Sequence, residues 1–365
     1  MAYRYIGNKT RLAGRLMEIA RRQMAPGARV ADLMCGTASF ASELRTMGYR
    51  VVASDLMTFA YCHAVVRLKL DAPPRYDGLN LGGYECVLAH LEALPPRAGL
   101  MIEEYSPAGS PAEGCAPRQY FSEENAARLD AMLHEVGGWE ASGALDEGEH
   151  ALLRHDLVLA ANRVANITGT YGHFWSKWTR AAERPIALRP TEFSSAPIDH
   201  VVMQGRAEDV APSVSCDLCY LDPPYTKRQY AANYHLIETI ARGDEPYAAG
   251  VSGLRPWRDQ YSDFCSKLRV RDAFTEVITG VDCPQFLISY SEDGLLARDE
   301  MTAFLAEFGE VVCFEFEFPR FRSNQSSLAR TLKEYVFSLD LEGVAGETEI
   351  VALPPVGIVM EPARA

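Results

Sequence analysis

The sequence predicts an α/β fold: a doubly wound, mainly parallel sheet into which a second domain is inserted. Three observations lead there. Short apolar strands alternate with amphipathic helices near both ends of the chain, as βαβ units do. The alternation stops at about residue 71 and resumes at about residue 199. Two of the strands run into loops of small residues or prolines that hold an acid, and open α/β sheets bind their ligands at such strand ends.

In chain order, residues 29–34 read as a short buried strand, 35–39 as a small-residue turn and 40–47 as a helix. A second strand, 49–55, ends in Asp55 and leads into an amphipathic helix over 56–70. The stretch from 71 to about 198 is rich in proline and glycine and contains one clear helical pattern, at about 148–166. Strands follow at 200–204, 217–222 and 285–290. Two late strands, 310–318 and 333–340, are joined by a loop instead of a helix, which predicts an antiparallel hairpin at an edge of the sheet. The proline-rich tail after about Leu353 reads as loose. The expected organisation is residues 1–72 and 199–342 as the two halves of one domain, 73–198 as the insertion and 343–365 as a tail. There is no internal repeat.

Composition narrows the classes. With 365 residues, 48% hydrophobic and 23% charged, the chain has an ordinary globular make-up, which excludes disorder over most of its length. No window approaches the roughly 18 apolar residues of a membrane span, so no membrane partner is expected. Met1-Ala2-Tyr3-Arg4-Tyr5 has no apolar core of a secretory signal, and the nine scattered cysteines, an odd number, read as reduced thiols. The expected location is cytoplasmic. The net charge of −13 is uneven: residues 101–150 hold eleven acids and two bases, whereas 1–30, 162–190 and 320–333 are basic. An acidic total therefore does not exclude nucleic acid, because affinity follows where the charges sit.

The sharpest local signal is Leu221-Asp222-Pro223-Pro224-Tyr225, directly after a β-branched and aromatic strand. Two prolines can neither continue a helix nor donate to a ladder, so they make a stiff extended exit. Asp222 and the Pro223 carbonyl are acceptors for the two protons of an exocyclic amine, and the Tyr225 ring can stack on a planar base for roughly 1–3 kcal/mol. A plain strand-to-loop turn also accounts for the tetrapeptide alone. Asp32-Leu33-Met34-Cys35-Gly36-Thr37-Ala38-Ser39 follows the first strand, and a small-residue turn there lets a ligand approach the backbone. It lacks the G-x-G-x-x-G of dinucleotide binders. Asp55, at the end of the next strand, suits two ribose hydroxyls. Each of these also fits a turn and a helix cap.

Basic and aromatic residues interleave downstream at Lys227, Arg228, Tyr230 and Asn233, a pattern suited to phosphate and base contacts. Arg322 and Asn324, in the loop between the late strands, suit a phosphate. Among His173, Trp175, Lys177 and Trp178, base-edge readout and a buried aromatic core remain open, with Lys177 the candidate DNA contact. Cys216-x-x-Cys219 lies in a strand, where alternate side chains diverge, and no second pair matches it, so no metal is expected.

Together with Tyr5-Ile6-Gly7-Asn8-Lys9 at the start and a weaker match at Thr168-Gly169-Thr170-Tyr171-Gly172-His173-Phe174, these motifs resemble the Dam-like, alpha-group site-specific adenine DNA methyltransferases. The resemblance covers about residues 3–70 and 200–340, and the order of the motifs carries it. It implies the S-adenosylmethionine-dependent methyltransferase fold, a Rossmann-like mixed sheet with an inserted, mostly helical target-recognition domain. It implies S-adenosylmethionine as cofactor, held by Tyr5, Lys9, Asp55 and Asp222, with the loop of Asp32, Leu33, Cys35, Gly36 and Thr37 under its methionine portion. It implies Asp222, Pro223, Pro224 and Tyr225 as the catalytic set acting on a flipped adenine of duplex DNA, with a cognate restriction endonuclease as the partner to look for. Two positions depart from the family: Ala38 stands where glycine is usual, and Arg206 stands near the place of an acid for the cofactor's adenine, with Glu208 or Asp209 as substitutes. The rival readings are the same chemistry on structured RNA and a non-catalytic DNA-binding or cofactor-sensing relative.

Overall fold

Runs of Val, Leu, Ile, Tyr and Phe, too short for helices, set the strands. The computed structural model describes residues 12–112, 114–196, 199–319 and 331–355. Eight strands form among them: β1 (Arg29–Asp32), β2 (Arg50–Asp55), β3 (Val201–Gln204), β4 (Leu218–Leu221), β5 (Gln285–Ser291), β6 (Glu310–Pro319), β7 (Thr331–Asp340) and β8 (Thr348–Ala352). The chain divides into two compact units. One holds residues 12–34, Ala207–Lys227 and the chain from Ser262 onward; the other holds Cys35–Arg206 and Arg228–Tyr261.

In the first unit β1, β4 and β5 run parallel, with Asp32 beside Tyr220 and Leu221 beside Ile288. All four residues of β4 are buried, as are six of the seven in β5. Burial on both faces is why these strands read as near-continuous apolar runs. β7 lies antiparallel between β5 and β6, and β8 adds to β6 in parallel. The antiparallel hairpin is therefore present but is not the edge. β8 lies outside it, a strand the sequence reading missed because Thr348–Ala352 is short and follows a turn at Gly346. The helix Arg298–Leu305 packs on β6 and β7.

In the second unit β2 and β3 pair in parallel, with Asp55 beside Gln204. The helix Thr58–Lys69 packs against the helices Glu147–Val164 and His235–Arg242. Helices are the main regular elements of the stretch 73–198, but they take up fewer than half of its residues. Besides Glu147–Val164, which starts in a capping box of Asp146 and Glu149, it contains Tyr84–Ala93, Leu100–Tyr105 and the 19-residue Glu123–Ala141. The single expected helix was thus an undercount: Gly137-Gly138 inside Glu123–Ala141 and the prolines around the shorter helices blur a 3.6-residue period. One apolar cluster joins Phe59 and Val66 to Tyr76, Leu91, Leu129 and Leu157, and to Leu236 and Ile240. No helix among the described residues is long and apolar enough to cross a membrane.

Candidate active site

The expected site residues fall into two sets, each lying within one unit. In the first unit the buried strand β4 delivers Asp222, which is half-buried at its exit, followed by Pro223 (buried) and Pro224 and Tyr225 (half-buried). The prolines leave the exit without ladder donors, and it is braced from β5 and the loop after it. The Leu295 N–H donates to the Tyr225 carbonyl at 2.8 Å. The Tyr225 ring meets the buried Tyr290 ring edge-on, 5.9 Å between centroids, and the Leu296 N–H donates to the Tyr290 hydroxyl at 3.3 Å. Backbone and ring of Tyr225 are thereby each held by a neighbouring contact. Two residues before Asp222, the buried Tyr220 hydroxyl lies 2.9 Å from Ser289 Oγ. Burial, and then the charge of Asp222, pushes this phenol well above its ordinary range, so it stays protonated. Asp32 is buried at the end of β1, and the Leu33 N–H donates to the Tyr220 carbonyl at 3.4 Å. Lys227 is exposed.

In the second unit the small-residue turn and the acid at the end of β2 are brought together. The Cys35 N–H donates to the Ser54 carbonyl at 3.0 Å, and the Gly36 N–H donates to Asp55 Oδ2 at 2.8 Å. The Met57 N–H donates to Asp55 Oδ1 at 2.9 Å. One carboxylate thus ties the turn to the start of the next segment. The turn takes left-handed backbone at Gly36 (φ 52°) and at Ala38 (φ 54°), just before the helix Ser39–Thr46. Glycine accepts that conformation freely, and alanine at a cost of roughly 1–2 kcal/mol, so Ala38 holds a strained backbone at the start of this helix. Thr37 Oγ1 lies 2.8 Å from Ser39 Oγ. Burial pushes the Asp55 carboxyl up to about 6, the Met57 and Gly36 N–H groups restrain the rise, and the charge of Glu238 adds to it. These groups fit S-adenosylmethionine: a partly exposed carboxylate at a strand end for ribose hydroxyls, and a turn of small side chains that a methionine portion can approach.

The same unit places the remaining candidates. Arg228 is exposed and Tyr230 and Asn233 are half-buried. The Asn233 carbonyl accepts the Tyr171 N–H at 2.8 Å, which ties the stretch 168–174 to this segment. Lys177 is exposed on a turn held by the wholly buried Asn166. The Trp175 N–H donates to the Asn166 carbonyl (2.9 Å), Asn166 Nδ2 donates to the Trp175 carbonyl (2.9 Å), and the Thr179 N–H donates to Asn166 Oδ1 (3.1 Å). Of the open alternatives there, Trp175 and His173 are exposed and do not form a core. The Arg206 guanidinium donates to the Tyr261 carbonyl. Tyr5, Lys9, Arg322 and Asn324 lie outside the described residues. Cys216 and Cys219 are buried thiols, and the described residues contain no group of three or more His, Cys, Asp or Glu placed to hold a metal. Sequence reasoning missed Asn166, Glu238 and Gln260, buried polar side chains whose partners lie outside their own element, and for Glu238 and Gln260 far along the chain. The one signal was an acid inside the apolar run 236–240.

Residues 5–304 match the family described as D12 class N6 adenine-specific DNA methyltransferase. The chain is 30% identical over 344 residues to the type II methyltransferase M.NlaIII of Neisseria lactamica, covering 92% of this chain and 98% of that one. It is 30% identical over 341 residues to M.FokI of Planomicrobium okeanokoites, covering 92% of this chain but 52% of that one, so it spans about half of M.FokI. It is 27% identical over 343 residues to M.CviAII of Paramecium bursaria Chlorella virus 1, covering 93% and 98%.

Proposed function

We propose that this chain, which belongs to the D12 class N6 adenine-specific DNA methyltransferase family, is a Dam-like, alpha-group, site-specific member that acts on an adenine flipped out of duplex DNA. The chain is an enzyme of the S-adenosylmethionine-dependent methyltransferase fold, and it methylates adenine in DNA. Bound S-adenosylmethionine supplies an electrophilic methyl group.

The chain's own residues do the rest. The adenine amine is a poor nucleophile because its lone pair is delocalised into the ring. In the proposed mechanism Asp222 and the Pro223 carbonyl accept hydrogen bonds from the two amine N–H groups, which favours a pyramidal nitrogen with its lone pair free to attack; one amine proton is lost to solvent after the N–C bond has formed. Tyr225 stacks on the extruded base, recovering part of the few kcal/mol that unstacking costs. Pro223 and Pro224 keep acceptor and ring at fixed separation, so catalysis is orientation and preorganised electrostatics. Asp55 takes the ribose hydroxyls, and the Asp32, Leu33, Cys35, Gly36 and Thr37 stretch takes the methionine portion, with Tyr5 and Lys9. Lys177, Lys227, Arg228, Tyr230, Asn233, Arg322 and Asn324 serve the DNA. The stretch 73–198 is the target-recognition part, inserted between 1–72 and 199–342, and the chain after 342 adds β8 to the sheet. The setting proposed with it is restriction–modification beside a cognate endonuclease, in keeping with relatives named type II methyltransferases, and a cytoplasmic location.

The observation that carries the mechanism is a half-buried acid leaving a wholly buried strand, with its partner aromatic pinned by Leu295 and Tyr290. The test is transfer of tritiated methyl groups to duplex DNA and to structured RNA by wild type and Asp222→Ala. Label on DNA that vanishes in a folded variant supports the reading. Undiminished transfer by the variant defeats it.

A further inference from the structure

Glu238 is wholly buried in the helix His235–Arg242, between Ile237 and Thr239 and two residues before Ile240. A carboxylate in such surroundings costs several kcal/mol unless its oxygens are paired. Here they are. Oε1 accepts the Thr58 N–H at 3.0 Å, Gln260 Nε2 at 2.7 Å and Arg242 Nε at 2.9 Å, and Oε2 accepts the Phe59 N–H at 3.2 Å.

Thr58 and Phe59 are the first two residues of the helix Thr58–Lys69, and Met57, at its N-cap, offers no side-chain acceptor. The orphan N–H groups and positive end of this helix are met instead by an acid about 180 positions further along the chain. Gln260 closes the other side, donating to the Leu56 carbonyl at 3.2 Å as well as to Glu238. Asp55 itself holds the Met57 N–H. The backbone at 56, 57, 58 and 59 is therefore tied at every residue, either to Asp55 or to the Glu238–Gln260 pair. A structural brace needs only to close the helix end. This one closes it next to Asp55, whose Oδ1 accepts the Met57 N–H.

We propose that Glu238, seconded by Gln260, is a positioning residue for cofactor binding: it fixes the turn after β2 so that Asp55 is preorganised for the ribose hydroxyls. The inference rests on the reading of Asp55 as the ribose acceptor. Glu238 touches no reacting atom, so its loss should raise the KM and Kd for S-adenosylmethionine while leaving saturated turnover near wild type.

The test uses the full chain with long unmethylated duplex DNA of mixed sequence, and calorimetric binding of S-adenosylmethionine. Glu238→Gln keeps volume and one carbonyl oxygen but sets an amide N–H₂ against backbone donors. It is expected to weaken cofactor binding about tenfold with kcat within about twofold. Gln260→Ala, milder should the first variant fold poorly, is expected to weaken it about threefold. In an Asp55→Asn background Glu238→Gln should add little, since both act through one contact. A Glu238→Gln variant that loses thermal stability yet keeps wild-type Kd overturns the inference, as do effects that multiply fully in the double variant. Asp55→Asn with unchanged Kd overturns the reading of Asp55 instead, whatever Glu238→Gln does.

Discussion

Cofactor affinity should fall on mild acidification, because burial pushes the Asp55 carboxyl up to about 6. The perturbation is pH alone. Asp55 binds ribose hydroxyls best as an anion with both oxygens accepting. With a pKa of about 6 the ionised fraction is roughly nine-tenths at pH 7 and roughly one-tenth at pH 5. Apparent affinity should then weaken about tenfold over that range, equivalent to about 1.4 kcal/mol. An unperturbed aspartate, near 3.9, would leave affinity flat across the same window. The assay is calorimetric titration with S-adenosylmethionine at half-unit steps from pH 5 to 8, on wild type and Asp55→Asn. The variant should bind weakly and without the acid limb. A wild-type Kd constant down to pH 5, or an acid limb that persists in Asp55→Asn, would refute the assignment of both role and titration.

Two further expectations come from other parts of the molecule. Asp156, buried where it accepts from the Tyr84 and Thr191 hydroxyls, is pushed up to about 7 by burial. A folded-state pKa raised above the unfolded value gives stability that is full below about 4 and lost as pH rises through about 7. Asp156→Asn should therefore gain on wild type in urea midpoint by an amount equivalent to about 2–4 kcal/mol between pH 5 and pH 8, and parallel curves at the two pH values would contradict this. Lys177→Ala, which removes an exposed charge from the turn held by Asn166, should weaken DNA binding about equally across sequences and reduce the salt slope by about one; an unchanged slope in a salt titration would remove Lys177 from the interface.

The parts of the site visible in the sequence are those whose chemistry is punctuated locally. Asp222 is flagged by the two prolines after it, and Asp55 by its place at the end of a β-branched strand. Gly36 is flagged by a small-residue run. The parts not visible depend on partners outside their own element. Nothing near position 238 says that its carboxylate caps a helix starting at Thr58, and nothing near Asn166 says that it holds the turn carrying Lys177. The fold follows the same division. β1, β2, β4 and β5 were legible because burial on two faces writes a continuous apolar run. The helix Glu123–Ala141 was obscured by its two glycines, and β8 by its shortness. Ala38 shows the limit from the other side, since its identity reads as an unremarkable helix start while its backbone takes a left-handed conformation that favours glycine.

The most direct test of the central claim is to identify the methylated nucleoside. Duplex DNA incubated with the chain and methyl-labelled S-adenosylmethionine is digested and resolved by mass spectrometry, beside Asp222→Ala. The account predicts label in N6-methyladenine with wild type and none with the folded variant. Label in a cytosine, or N6-methyladenine made equally well without the Asp222 carboxylate, would contradict it.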